Sequence, residues 1–431
     1  MCSIGDDGTE HMEPVAFTEL YQSVCRKCSE VKAQVVLQSK FAYCRTCFLS
    51  MVSHKYRSTL GKSKVMKHGD KVLVAFSGND SSVCLLDMIQ SAKDDGKKKK
   101  INTEMVIVFI DERPVKGGDE QDITSISESL KAYEFPKYYC PLDSIYGIPA
   151  PIPLDKAPGL AISNERIEEC LQNCKSRTSA IDLLKKVRHR LLYLLAKDLG
   201  CNKIFLPETN DDSAVNIISN IALGRGDQLP LDVGFMDDRR GDIVFLRPLC
   251  EISKKEVAFY NAFKKLDPIV LPSVIDKVRT GDSMQSLTEN FITNIGVTFP
   301  STVHTIVATG TKLLVDRENF HGVCGLCEAT ISTNDDPLSS AKATELSSRM
   351  SALGDKSADT STSETVNYGR CSSANDCCSK RCKPTPSLCY SCLLIAKDFE
   401  STETWPPAVR RSIDEESSLE AMRMKIEDYL L

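Results

Sequence analysis

Between residues 70 and 270, short apolar runs alternate with longer stretches whose apolar positions recur near helical spacing. The short runs Val72–Phe76, Met105–Ile110, Lys137–Cys140 and Ile204–Leu206 read as strands of a buried parallel sheet. The longer stretches read as amphipathic crossover helices, so the segment predicts an α/β fold with a parallel sheet. The apolar stretch Val83–Ile89 is the helix after the first strand. The clearest helix runs from about Thr178 to Leu199, with Ile181, Leu184, Leu191, Leu192 and Leu195 on its apolar side. Lys185, Lys186, Arg188 and Arg190 add charge to it, and Gly200 supplies its C-cap.

The pattern changes outside this segment. Residues 1–20 are polar and read as mobile. Lys93–Lys100 is a charged loop with four consecutive lysines. From about 328 to 388, Ser, Thr, Asn and Asp dominate and large apolar residues are few, which predicts a disordered insertion. Pro406 and Pro407 then separate a last acidic helix, about Asp414 to Leu430. The expected division is an N-terminal cysteine module (1–62), a central α/β domain (63–320), a second cysteine module carrying the insertion (321–400) and a helical tail (401–431). Val83–Ile89 and the tail helix are the candidate docking segments for a partner chain.

Composition narrows the class. The 431 residues suffice for two or three domains, and 42% hydrophobic content can bury a full core. A net charge of -5 gives no global basic field, so any RNA contact must use local patches, and DNA binding is not expected. No window is apolar and long enough for a bilayer, and no secretory signal pattern opens the chain, so a cytoplasmic, reducing compartment is expected. There, 19 cysteines point to metal or redox chemistry rather than disulfides.

Two sets of cysteine pairs carry ligand spacing. Cys25/Cys28 and Cys44/Cys47 form two tight knuckles close in sequence, a pattern that brings four thiolates to a tetrahedral zinc. Four ligands are too few for an interleaved two-metal ligase module. A redox pair is the alternative. Arg26, Lys27, Lys32, Lys40, Arg45, Lys55 and Arg57, with Phe41, Tyr43 and Phe48, make a basic and aromatic neighbourhood around them; it is either an RNA contact or a solvated face. Cys324/Cys327 and Cys389/Cys392 have the same spacing but lie far apart, as in a second zinc ribbon split by the insertion. Cys371, Cys377, Cys378 and Cys382 lie inside the insertion and are alternative ligands or exposed thiols.

Other candidates sit at the ends of the strands. Ser77-Gly78-Asn79-Asp80-Ser81-Ser82 follows the first strand and opens the next helix, where backbone N–H groups and the helix dipole hold phosphate. A plain strand-to-helix turn has the same pattern. Asp211 and Asp212 follow the strand at 204–206; carboxylates there hold Mg²⁺ on a polyphosphate, cap a helix, or do both. Arg225, between Gly224 and Gly226, is a candidate phosphate clamp. Cys170 and Cys174 precede a basic helix; a thiol with a lowered pKa there suits sulfur transfer, whereas most single buried cysteines are inert.

In this order the motifs resemble the PP-loop ATP-pyrophosphatase family that thiolates tRNA, and within it the second-subunit branch of the cytoplasmic 2-thiolation machinery. The resemblance rests on the N-terminal cysteine pairs, Val72-Leu73-Val74-Ala75-Phe76-Ser77-Gly78, Asn210-Asp211-Asp212, Gly224-Arg225-Gly226, Arg247-Pro248-Leu249 with Glu256, and the split C-terminal pairs. It implies a Rossmann-like PP-loop domain flanked by zinc ribbons. It also implies ATP and Mg²⁺ at the loop, the wobble uridine of cytosolic tRNA as target, an active paralogue as partner, and a ubiquitin-related carrier that delivers sulfur as a thiocarboxylate. The chain departs from the family's Ser-Gly-Gly-x-Asp-Ser loop: Asn79 replaces the second glycine and Ser81 stands where the Asp belongs. The cysteine pair before the basic helix is stretched to Cys170 and Cys174, and residues 208–230 contain no cysteine, which argues against an iron–sulfur cluster. The expected role is therefore a subunit of a heterodimeric tRNA sulfurtransferase, a poor catalyst alone. The alternatives are a self-sufficient adenylating thiolase, or a zinc-ribbon adaptor for tRNA or protein.

Overall fold

A computed structural model of the chain describes residues 23–38, 40–94, 103–112, 121–147, 150–157, 165–224, 226, 229–269, 283–313, 322–331, 388–399, 401–407 and 409–410. Residues 1–20, the four-lysine run, Arg225, Cys371, Cys377, Cys378 and Cys382, and the acidic helix expected from Asp414 all lie outside them.

Seven strands form the central sheet. In chain order its members are β3 (Lys71–Phe76), β4 (Glu104–Asp111), β5 (Lys137–Pro141), β6 (Ile152–Pro153), β7 (Lys203–Phe205), β8 (Met236–Asp237) and β9 (Val244–Leu246). Strands β5, β4, β3, β7 and β9 are parallel neighbours in that order, and β6 and β8 pair antiparallel on the two edges. All four expected strands are present, the last one residue earlier than expected. The fifth parallel strand, Val244–Leu246, was not anticipated: three residues carry no readable period.

Side chains alternate between two cores. Val72, Val74, Ile107, Phe109, Phe205 and Leu246 face one, and Leu73, Val106, Val108, Ile204 and Phe245 face the other. Both faces are therefore covered, as a parallel sheet requires. The predicted basic helix is Arg177–Asp198. It stops where Gly200 takes φ +67°, the Cys201 N–H reaches the Ala196 carbonyl at 2.7 Å and the Gly200 N–H reaches Lys197 at 3.2 Å. These are the paired bonds of a glycine-terminated helix.

The two cysteine segments are not separate bodies. The hairpin β1 (Val35–Leu37) and β2 (Phe41–Tyr43) leads into helix α1 (Arg45–Ser63). Phe48, Val52 and Tyr56 of α1 belong to the first core, and Phe48 meets Phe259 and Phe263 edge-on at 6.2 and 5.7 Å. At the other end, the hairpin β10 (Gly322–Val323) and β11 (Thr330–Ile331) and the helix Tyr390–Asp398 pack into the second core through Cys392, Ile395 and Phe399, with Trp405 beside them. The expected boundaries at 62 and 321 therefore mark stretches of sequence within shared cores. A third, smaller cluster is built by helices Asn210–Ala222, Leu229–Val233, Met284–Thr298 and Pro300–Gly310.

Three expectations change. Residues 328–331, placed in the insertion, close the β10–β11 hairpin, so the polar segment outside the described residues begins at 332. Lys93 and Asp94, placed in a charged loop, end the helix Asp80–Asp94. Val83–Ile89, offered as a docking segment, is buried almost throughout in the first core; an apolar run that continuous has no exposed face to offer.

Candidate functional site

From β3 the chain winds through β4 and β5 on one side of the sheet, then returns to β7 and β9 on the other. A crevice opens at such a reversal, outside the carboxyl ends of the strands. Here it is a cleft of about 410 Å³ between the loop after β3, the loop after β7 and the basic helix. Of the sequence-predicted residues, Ser77, Asn79 and Asp212 line it. Lys185, His189, Asn216, Ser219 and Gln285 also line it and were missed as site residues. Lys185 was visible in sequence only as charge on a helix.

The loop after β3 turns sharply at Gly78, φ +82°. Asn79 then caps the helix Asp80–Asp94 with its own side chain: Oδ1 accepts from the Ser82 N–H at 3.0 Å. The Asn79 carbonyl accepts from the Ser82 hydroxyl at 2.9 Å and from the Val83 N–H at 3.1 Å. Ser81 and Ser82 are buried. The Asp80 carboxylate accepts from Asn261 Nδ2 at 3.1 Å. A phosphate approaching this helix terminus would meet amide and carboxylate oxygens, and one N–H it needs is already bonded.

Asp211 and Asp212 are likewise engaged. Asp212 Oδ2 accepts from the Thr209 N–H (2.9 Å) and hydroxyl (2.7 Å), while Thr209 Oγ1 accepts from the Asp212 N–H (3.3 Å), a reciprocal cap. Asp211 accepts from the Lys254 N–H at 2.7 Å, and burial pushes its pKa up. Lys254 Nζ sits 3.1 Å from Asp212 and 3.0 Å from Glu289. Burial opposes its charge, but these two carboxylates hold the ammonium above its ordinary range.

The arginines in and beside the cleft are paired with carboxylates inside the protein. Arg188 grips Glu112 with two nitrogens, one at 2.8 Å. Arg247, 1% exposed, reaches Glu208 at 2.5 Å and the Leu231 and Gly234 carbonyls at 3.2 and 2.9 Å. Lys185 donates to Asn216 at 2.6 Å, and burial draws its pKa down. Arg239 pairs with Asp232 and Asp237, and Arg190 and Arg240 both pair with Glu328. His189 stacks on Phe245 at 5.5 Å. Burial, then Lys185, Arg247, Arg240 and Arg188, push its pKa well below 6.5, so the ring is neutral at pH 7.

The cysteines form two matching clusters. The four sulfurs of Cys25, Cys28, Cys44 and Cys47 lie within 4.8 Å of one another, as do those of Cys324, Cys327, Cys389 and Cys392. Each cluster pairs a knuckle with a helix start. The residue after the second knuckle cysteine, Ser29 or Glu328, has positive φ (56° and 57°) and donates its N–H to the first cysteine's carbonyl at 2.8 Å. Cys44 and Cys389 are then the N-cap residues of their helices. Four clustered thiols beside a helix N-terminus can hold a thiophilic cation. Burial opposes ionisation of Cys25, but backbone hydrogen bonds from Cys28, Cys44 and Lys27 bring it down to about 6. Hydrogen bonds from Cys324, Cys389 and Cys392 hold Cys327 well below its ordinary value.

Cys170 and Cys174 depart from expectation. Neither lines the cleft, and burial pushes both thiols up rather than down. The basic neighbourhood near the N-terminus is also partly committed: Arg45 bonds the Phe263 carbonyl, Lys55 pairs with Glu256 at 2.7 Å, and Arg26 lies over Phe41 at 4.5 Å. Among the described residues no helix is long and apolar enough to cross a membrane.

Comparison with known proteins agrees with this geometry. Among solved structures, a U34-tRNA thiolase NcsA from Methanococcus maripaludis, determined with its [4Fe-4S] cluster, shares the fold: TM-score 0.52 over 68% of this chain and 89% of that one, at 19% identity. The profile of the family described as Cytoplasmic tRNA 2-thiolation protein 2 matches residues 283–394. Relatives carrying that description are 33% identical in Aedes aegypti, over 74% of each chain, and 32% identical in Drosophila ananassae, over 93% of this chain and 100% of the relative. A Xenopus laevis relative, protein 2-A, is 29% identical over 100% of this chain and 99% of its own length. With the sheet order, the loop and the paired cysteines in place across such lengths, the chain belongs to the cytoplasmic tRNA 2-thiolation protein 2 family.

Proposed function

We propose that this chain is the supporting subunit of a cytoplasmic, heterodimeric tRNA sulfurtransferase that 2-thiolates the wobble uridine, working with an active paralogue. One observation carries the reading: Asn79 caps its own helix, so the terminus that would cradle ATP phosphates is occupied by the protein itself. Adenylation needs preorganised donors aimed at developing negative charge. Here the loop presents oxygens, its Ser82 hydroxyl is turned inward onto the Asn79 carbonyl, and Asp211 and Asp212 are bound to a cap and a lysine. ATP and Mg²⁺ therefore belong to the partner in this reading, as does sulfur activation from a thiocarboxylated ubiquitin-related carrier.

Both cysteine clusters fit zinc: four sulfur donors, no carboxylate or imidazole among them, and knuckle geometry at each pair. Such ions would supply folding energy and no redox chemistry. Each helix that opens on a cluster then carries its hairpin into the sheet's cores, which suits a rigid platform for tRNA and partner.

The test is tRNA thiolation read by retardation in a mercury-containing gel, with ATP, Mg²⁺ and a sulfur donor. Thiolation only when this chain and the paralogue are both present is the expected result. Product formed by this chain alone would overturn the supporting role and restore a working loop; full activity of the paralogue without it would leave an RNA or protein adaptor.

A further inference from the structure

Four large apolar side chains stand exposed along one short stretch of chain: Leu287 (54% exposed), Phe291 (50%), Val297 (77%) and Phe299 (60%). They run along the helix Met284–Thr298 and into the turn after it. Leu287 and Phe291 are one helical turn apart and share a face. Ile292 and Ile295 of the same helix pack into the third core cluster. The helix is thus apolar toward the core and apolar again toward solvent, whereas a surface helix keeps its outer face polar. Exposed apolar side chains grouped in this way mark a surface that another element covers. From Leu287 to Phe299 this ridge is about 18 Å long.

A segment of this chain fits the ridge. Residues 411–431 lie beyond the described residues, and their sequence repeats apolar positions at helical spacing: Leu419, Met422, Ile426, Tyr429 and Leu430. As a helix these positions span about 17 Å, the length of the ridge. The described chain also stops where such a segment can reach it. The Asp398 carbonyl accepts from the Lys175 N–H at 2.9 Å, the Asp398 carboxylate accepts from the Ser179 hydroxyl, and Trp405 meets Phe399 edge-on at 5.4 Å. The chain leading to Arg410 is therefore anchored beside the first turn of the helix Arg177–Asp198. The helix Met284–Thr298 starts from that same turn: the Met284 N–H donates to Thr178 Oγ1 at 3.0 Å and the Gln285 amide to the Thr178 carbonyl at 3.1 Å. Residues 411–418, fully extended, cover up to about 27 Å, more than the width of the helix to be crossed. Charge agrees as well. Asp414, Glu415 and Glu416 lead the segment, and Lys175 and Arg177 are exposed on the turn it departs from.

We infer that residues 419–430 seat as an amphipathic helix on the ridge of Leu287, Phe291, Val297 and Phe299 in the same chain. The segment enters beside Leu287, where its root lies, and its apolar stripe removes the ridge from water. The helix beneath it also carries Gln285 and Glu289 to the cleft, so the seated segment braces one wall of the cleft from outside. The inference rests on the ridge and on the path of the chain, so it stands or falls apart from the thiolation role.

The test uses the full chain with Phe291 replaced by its photoreactive p-benzoyl derivative, irradiated as a mixture of unlabelled and isotope-labelled protein. Mass spectrometry should find crosslinks from position 291 to residues 419–430 within single chains. Crosslinks joining labelled to unlabelled chains would overturn the inference by seating a second copy on the ridge, and so would the absence of any crosslink to 419–430. Hydrogen exchange supplies a second readout. Met422→Asp combined with Ile426→Asp, in the full chain, should speed exchange of the amides of 287–299 about threefold to tenfold, with those of Val72–Phe76 as slow as in wild type. Unchanged exchange at 287–299 would overturn the inference, and the strand amides verify that the variant is folded.

Discussion

At the scale of single residues, burial decides more than identity. His189 sits on a helix that reads as amphipathic and basic, yet burial and four neighbouring cations hold it neutral. Its folded pKa lies below the unfolded value near 6.5, so the unfolded chain takes up the proton first as pH falls. Its contribution to stability is intact above about pH 6.5 and is lost as the pH drops toward the folded value. Unfolding by urea at pH 7 and pH 5 should show wild type losing more than His189→Gln, by about 1 kcal/mol; equal losses would place the ring in solvent. Cys170 and Cys174 teach the same point from the other side. Cationic neighbours in sequence suggested activated thiols, but the fold buries Cys170 and half-buries Cys174, and this pushes both up.

At the scale of elements, the start of the helix Asp80–Asp94 separates two roles of one motif. A strand, a glycine turn and hydroxyl residues were legible, and so was the departure at position 79. That Asn79 would fill the helix terminus with its own amide was not, because a cap is a matter of φ, ψ and side-chain direction. Asn79→Gly should free the Ser82 N–H at a stability cost of a few tenths of a kcal/mol. Pyrophosphate should then raise the Tm of the variant and leave wild type unchanged; no shift in either would mean that Asp80 alone repels the anion. The reciprocal Thr209–Asp212 cap shows why spacing cannot assign a carboxylate. The same Asn-Asp-Asp string can hold a metal or close a helix, and here Lys254 and Thr209 hold its oxygens.

At the scale of the whole molecule, the two cysteine clusters lie far apart in the sequence, and the elements that carry them pack into the cores on opposite faces of one sheet. Each knuckle is followed by a helix whose apolar side belongs to a core shared with the strands. Cys25→Ser with Cys28→Ser, and separately Cys324→Ser, should each lose about one equivalent of zinc. Because the cores are shared, each should lower the main unfolding transition rather than melt a separate module first. An early, independent transition in calorimetry would restore the separate domains that the sequence suggested. The Glu328 pairs with Arg190 and Arg240 tie the second knuckle to the basic helix as well. That contact joins residues 138 positions apart and had no signal in the chain.

Sequence by itself determined the parallel sheet, the basic helix with its glycine stop, the loop and its flaw, and which cysteines could gather. These follow from local rules: apolar runs, helical periodicity, left-handed glycine and ligand spacing act over a few residues. Only the tertiary structure decided that Arg188 and Glu112 neutralise one another at the cleft, that both cysteine segments share the cores, and that the neutral groups Ser219, Gln285 and His189 converge. Those outcomes depend on which distant side chains exclude water from each other, and burial of that kind has no period along a chain.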